Sequence, residues 1–151
     1  MNPYTEAYKD PIFKIGIIFA VLLVLLVLAN SVFANPLPGK EIKVINQVAD
    51  EYNLVGEERT LLFVIRIIEN GDVGREFGVL NPQAMRFKDD PDMSFRTQAR
   101  WAAGTIKKRF NDNLEGFANR WAPIGAKNDP DNLNKNWFPN AQHWMKKLGV
   151  E

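Results

Sequence analysis

The chain has 151 residues, a net charge of +1, no cysteine and a single histidine, His143. Without cysteine there is neither a disulfide framework nor a thiolate metal site, and one histidine excludes multi-histidine metal centres and HExxH chemistry. Serine occurs only at Ser31 and Ser94, and neither stands in a G-x-S-x-G elbow, so any enzyme here should work with carboxylates.

In chain order, residues 1–14 form a flank with mixed charges. No charged residue then falls between Lys14 and Lys40. Residues 15–34 are apolar enough, over about twenty positions, to cross a bilayer as a helix. The sequence Val32-Phe33-Ala34 would also suit signal cleavage before Asn35. The flank carries Glu6 and Asp10 beside Lys9 and Lys14, a poor leader for a signal peptide, so a retained anchor is the expectation. Lys9 and Lys14 on one side are matched by Lys40 and Lys43 on the other, and orientation is not decided by charge.

Residues 35–40, with Pro36, Pro38 and Gly39, read as a stiff linker to a domain over 41–151. A helix is predicted over 41–52, with Ile42, Ile45, Val48, Ala49 and Tyr52 on one face. A second begins near Glu57, whose acidic first turn suits a helix N-terminus, and ends at Glu69 before Asn70-Gly71. Residues 70–93 are punctuated by glycine and proline and read as irregular, with room for a small hairpin over 77–80. Ser94 is a plausible N-cap for a helix to about Phe110. A short helix is expected over 114–121, then a loop to Asn136, and a last helix over 139–148. Lys107-Lys108-Arg109 is the only basic triplet, and it reads as a solvated helix face, so no nucleic-acid partner is expected. The domain is therefore mainly α, large enough for one core.

Glu69 is the most informative residue. It closes the run Leu61-Leu62-Phe63-Val64-Ile65-Arg66-Ile67-Ile68, and the glycine-rich stretch 71–78 follows. Apolar surroundings and the negative end of a helix dipole both disfavour the ionised form of a carboxyl. A carboxylic acid that keeps its proton until needed is what a glycosidase uses on a leaving sugar oxygen. The alternative is a carboxylate fraying into solvent at a helix end.

Other polar residues admit two readings each. Trp121 and Trp137 flank a polar loop and are candidates for stacking on sugar faces; tryptophan also fills cores. Asn81, Gln98 and Asn134 are candidates for bonding acetamido groups, and side chains of this kind equally cap turns and helices. Asp72 and Glu76 follow Glu69 closely and are candidates for a second catalytic carboxylate, or for pairing with Arg75 or Arg86. The cluster 128–134 is rich in oxygen ligands but lacks the glycine and closing glutamate of an EF-hand, so no metal and no cofactor are expected.

The helix ending in Glu69, the glycine-rich segment and Gly78-Val79-Leu80-Asn81 together resemble the lysozyme-like superfamily, in its lytic transglycosylase branch. Asn70 stands where that branch usually has Ser, and Asn81 where it has Gln. The stretch 117–125, running on through Asn128-Asp129-Pro130 to Trp137, resembles bacterial and phage wall-degrading domains. The resemblance covers most of 41–148 and rests on the order of its motifs. It implies a lysozyme-like helical domain that cleaves the β-1,4 bond between N-acetylmuramic acid and N-acetylglucosamine in peptidoglycan. Glu69 would be general acid and base, and the stretches 72–81 and 121–137 the cleft walls. A transglycosylase needs that one carboxylate, whereas a hydrolytic lysozyme or glucosaminidase usually needs a second. The implied partners are glycan strands, a bilayer through residues 15–34, and membrane or virion proteins. The non-enzymatic alternative is a glycan-binding or structural membrane protein that keeps an idle pocket.

Overall fold

The computed structural model describes residues 36–87 and 89–149. The expected anchor over 15–34 lies outside the described residues. Among the described residues no helix is long and apolar enough to cross a membrane.

Five α-helices carry the unit from Leu37 onward: α1 (Gly39–Glu51), α2 (Gly56–Glu69), α3 (Pro91–Arg109), α4 (Leu114–Trp121) and α5 (Trp137–Lys147). Two short 3₁₀ segments, Pro82–Phe87 and Leu133–Asn136, lead into α3 and α5. No strand forms among the described residues, so the hairpin allowed for 77–80 is absent. The mainly helical class is as the periodicity predicts.

Helix α2 is the centre of the packing. Leu61, Leu62, Val64 and Ile65 are fully buried, because its apolar positions cover most of its circumference. It contacts α1, α3 and α5, the last most extensively. Ile45, Val48 and Ala49 of α1 and Ala99, Ala102, Ala103 and Ile106 of α3 close the core around it. The three alanines let α3 approach closely. Arg66 is the exception on α2, a buried cation. Its guanidinium donates to both oxygens of Glu41 on α1, at 2.9 and 3.1 Å. That fork satisfies the charge within the domain.

Helix ends follow local chemistry. Asn70 stops α2 in the left-handed region (φ 39°), and its N–H reaches Arg66 O. Asparagine tolerates this conformation better than most residues. Helix α3 starts three residues before the predicted cap. Asp90 is the N-cap, accepting from Met93 N at 3.0 Å, and Pro91 supplies the first helical position. Ser94 is instead buried one turn inside, where Oγ accepts from Gly74 N at 2.8 Å. The last helix also starts early, at Trp137, so Pro139 lies in its first turn, where a missing N–H costs nothing.

Candidate active site

Glu69 stands half-exposed at the last position of α2, on a cleft of about 940 Å³. That is at the upper end of the range common for small-molecule sites. The loop 71–80 forms one wall, and Trp121, Pro123 and Asn134 contribute to the other. These walls correspond to the stretches 72–81 and 121–137 expected from the sequence.

The carboxylate is held by two indoles. Trp121 Nε1–H donates to Glu69 Oε1 at 2.8 Å, and Trp137 Nε1–H donates to the same oxygen at 2.9 Å. Phe117 orders both donors. Its ring stacks on Trp121 at 5.5 Å and lies tilted against Trp137 at 6.2 Å. Phe117 is itself 2 % exposed, so this aromatic cluster belongs to the core and reaches the acid from beneath. Two donors occupy the two lone pairs of Oε1. Oε2 receives no protein donor among the described residues and is the oxygen left to carry or accept a proton.

Gly78 explains the rest of the carboxylate's position. It has φ +68°, and a Cβ there would overlap Oε2 and the carboxyl carbon of Glu69. Only glycine both adopts that backbone and admits the acid. Gly71 is needed for a different reason, since a Cβ there would collide with the backbone of Arg75 and the loop could not close.

The loop carrying Gly78 has no ladder partner, and Gln98 takes that place. Its Oε1 accepts from Phe77 N and Val79 N at 3.4 and 3.3 Å; its Nε2 donates to Gly74 O and Val79 O at 2.9 and 3.0 Å. All four bonds of the amide are used, and the residue is 1 % exposed. Gln98 therefore faces loop backbone, with no bond left for a sugar. It is a positioning residue, and its presence explains why 77–80 needs no hairpin.

The remaining candidates separate. Trp121 and Asn134 line the cleft, and Asn134 Nδ2 donates to Pro123 O at 2.9 Å. Trp137 is 5 % exposed and does not line the cleft; its ring is packed inside, which leaves its N–H, not its face, for the site. Asn81 starts the first 3₁₀ segment, accepting from Gln83 N at 2.9 Å, and lies off the cleft lining. Asp72 and Glu76 line a different cavity of about 270 Å³, together with Lys40, Glu41 and Arg66. Glu76 is 5 % exposed; Oε2 accepts from Gly74 N, and Oε1 is buried without a partner among the described residues. Neither acid pairs with Arg75 or Arg86 among the described residues. In the 128–134 loop, Asp129 spends its oxygens on Leu133 N and Asn134 N, as a turn-building acid does. No group of acids and histidine among the described residues is arranged to hold a metal.

Sequence reasoning missed Phe117 as the support of the site and Arg75, Arg109 and Arg120 as cleft residues. Helical spacing carried part of that signal, since Phe117, Arg120 and Trp121 share one side of α4. Comparison with protein-family models, with curated proteins and with solved structures yields no match for this chain.

Proposed function

We propose that the protein is a peptidoglycan-cleaving glycosidase of lysozyme-like fold, acting as a lytic transglycosylase with Glu69 as its acid and base. The observation that carries this reading is the state of Glu69. It sits on a large cleft, with Oε1 clamped by two indoles and Oε2 open. A side chain that only frayed at a helix end would not be held by core aromatics from two other helices.

In this reading the protonated Oε2 gives its proton to the glycosidic oxygen as the bond from that oxygen to the muramic anomeric carbon breaks. The leaving N-acetylglucosamine departs with a hydroxyl. The Glu69 carboxylate then takes the proton of the muramic 6-hydroxyl while that oxygen bonds to the anomeric carbon, giving a 1,6-anhydro end. Glu69 returns to its protonated form, and no water enters. The indoles stay on Oε1 throughout and stabilise the carboxylate formed midway.

Glu69 is the only acid among the described residues lining the cleft. That favours the one-carboxylate route over a hydrolase built on Asp72 or Glu76. A helix over 15–34 would tether the domain to a bilayer and confine cutting to the adjacent wall.

The test is mass spectrometry of purified peptidoglycan after incubation with the full chain and with Glu69→Gln. Anhydromuramic ends made by wild type alone support the proposal. Reducing ends lost with the variant would reassign the chemistry to a hydrolase. Intact glycan in both samples, across several wall types, would leave a binding or structural protein.

A further inference from the structure

The cavity of about 270 Å³ that holds Asp72 and Glu76 shares only Gly71 with the cleft of Glu69. Its charge is one-sided. Glu41 and Arg66 line it but are committed to each other. That leaves Asp72, Glu76 and Asp92 against Lys40 alone. Asp72, Asp92 and Lys40 are exposed, and none of the four side chains forms an ion pair among the described residues.

Glu76 is the informative member. It is buried, and its Oε1 has no hydrogen-bond partner among the described residues. Its other oxygen accepts from Gly74 N at 3.0 Å, but Ser94 Oγ accepts from that same N–H at 2.8 Å. The loop is therefore tied to α3 without this carboxylate. Arg66 meets Glu76 only at the backbone, donating to its O at 3.5 Å. A carboxylate buried with a bare oxygen is unfavourable unless a donor reaches it. The fold supplies none, and a cationic ligand in the cavity would.

The lining sets the kind of cation. No group of acids and histidine among the described residues is arranged to hold a metal. Val44, Val73 and Phe95 supply apolar wall beside the acids. An ammonium on a short aliphatic stem matches both parts, with three N–H donors for carboxylates and methylenes for the apolar side.

We propose that this cavity binds a small aliphatic ammonium, with Glu76 as its principal acceptor and Asp72 and Asp92 adding negative charge from exposed positions. The inference does not rest on the glycosidase reading. The ammonium belongs either to a free amine or to a lysine side chain. The chemistry is the same, and the two sources are separable by experiment.

The test is titration of the full chain with n-butylamine at neutral pH, followed through the amide resonances of Val73 and Gly74. Saturable shifts at both are expected. Binding should be about tenfold tighter than that of n-butanol, a neutral probe of the same shape, and the difference should shrink in about 0.5 M salt. Glu76→Gln keeps the side chain's size and should weaken butylamine about tenfold; Asp72→Asn and Asp92→Asn, at solvated positions, should weaken it about twofold each. Indole N–H resonances of Trp121 and Trp137 at their wild-type positions show that a variant is folded. Should Glu76→Gln not fold, the Asp72→Asn/Asp92→Asn double variant decides, with an expected loss of about fourfold. N-acetyl-lysine methylamide separates the sources. Tighter binding than butylamine supports the inference and assigns the site to a lysine side chain; weaker binding supports it and assigns the site to a free amine. No saturable shift, equal binding of butylamine and butanol, or butylamine affinity unchanged in the deciding variant overturns it.

Discussion

At the scale of single residues, the site depends on two groups that touch one carboxylate from opposite sides. Trp121 and Trp137 supply donors to Oε1, and Gly78 leaves room for Oε2. Trp121→Phe and Trp137→Phe keep most of the aromatic packing and remove one donor each. Each should lower kcat by about tenfold, the scale of a lost hydrogen bond to a charged group. The pair should lose less than the product of the two, because both donors serve one acceptor. Steady-state release of anhydromuropeptides measures all three, and unchanged rates in both single variants would sink the clamp's role. Gly78→Ala forces an L-residue into positive φ and a methyl into the carboxylate. It should cost about 1–2 kcal/mol in a denaturant titration and abolish turnover. Loss of turnover without loss of stability would show that the backbone tolerates alanine and only the acid is displaced. Glu69 and Gly78 stand out in the sequence, because their surroundings switch abruptly from apolar to glycine-rich; Trp121 reads there as a stacking ring, and its N–H bond to the acid has no sequence signal. The edge of Trp137 that meets the site has none either: a tryptophan beside a polar loop reads alike whether its face or its N–H is offered.

At the scale of elements, periodicity located each helix because each buries one apolar stripe. Short helix α4 was read to the residue, since Asn113 caps its start by accepting from Gly116 N at 2.8 Å. The start of α3 was misplaced because Ser94 and Asp90 are both good caps. Ser94 is taken inside because its Oγ shares the buried N–H of Gly74, twenty residues upstream, with Glu76 Oε2, and no local pattern reports that contact. Gln98 is the same lesson in larger form. A glutamine on a helix gives no sign that it will stand in for a missing strand. Gln98→Leu matches its size and removes all four bonds to the loop 74–79. It should destabilise the domain by about 2–4 kcal/mol in urea, since two buried N–H and two C=O groups lose partners. Amide exchange at Phe77 and Val79 should accelerate well before global unfolding. Protection retained at both amides would mean that the loop is held by other means.

At the scale of the whole molecule, polar ties bind the helices around α2. Glu51 on α1 accepts from Arg100 on α3 at 2.8 and 3.1 Å. The Arg100 hydrogen bond holds the Glu51 carboxyl below its ordinary value; burial opposes this, and the charges of Arg100 and Arg96 add to it. A carboxyl depressed in the folded state binds fewer protons there than when unfolded. Its contribution is therefore complete above the unfolded value and disappears as pH falls through the folded one. The pair is substantially solvated, so Glu51→Gln should cost only about 0.5 kcal/mol at neutral pH and nothing in strong acid. Denaturant midpoints at the two pH values test this, and an equal cost at both would assign the loss to packing. The assembly around Glu69 has another consequence. Its two indole donors lie 52 and 68 residues further along the chain. Translation delivers the acid first, and its second donor only after α3 and α4 have been made. A nascent or clipped chain that stops before Trp137 holds the acid by half its clamp and lacks the helix that packs most extensively on α2. Under the glycosidase reading, order of synthesis would then act as a safety catch: the acid is made before the clamp that completes its site.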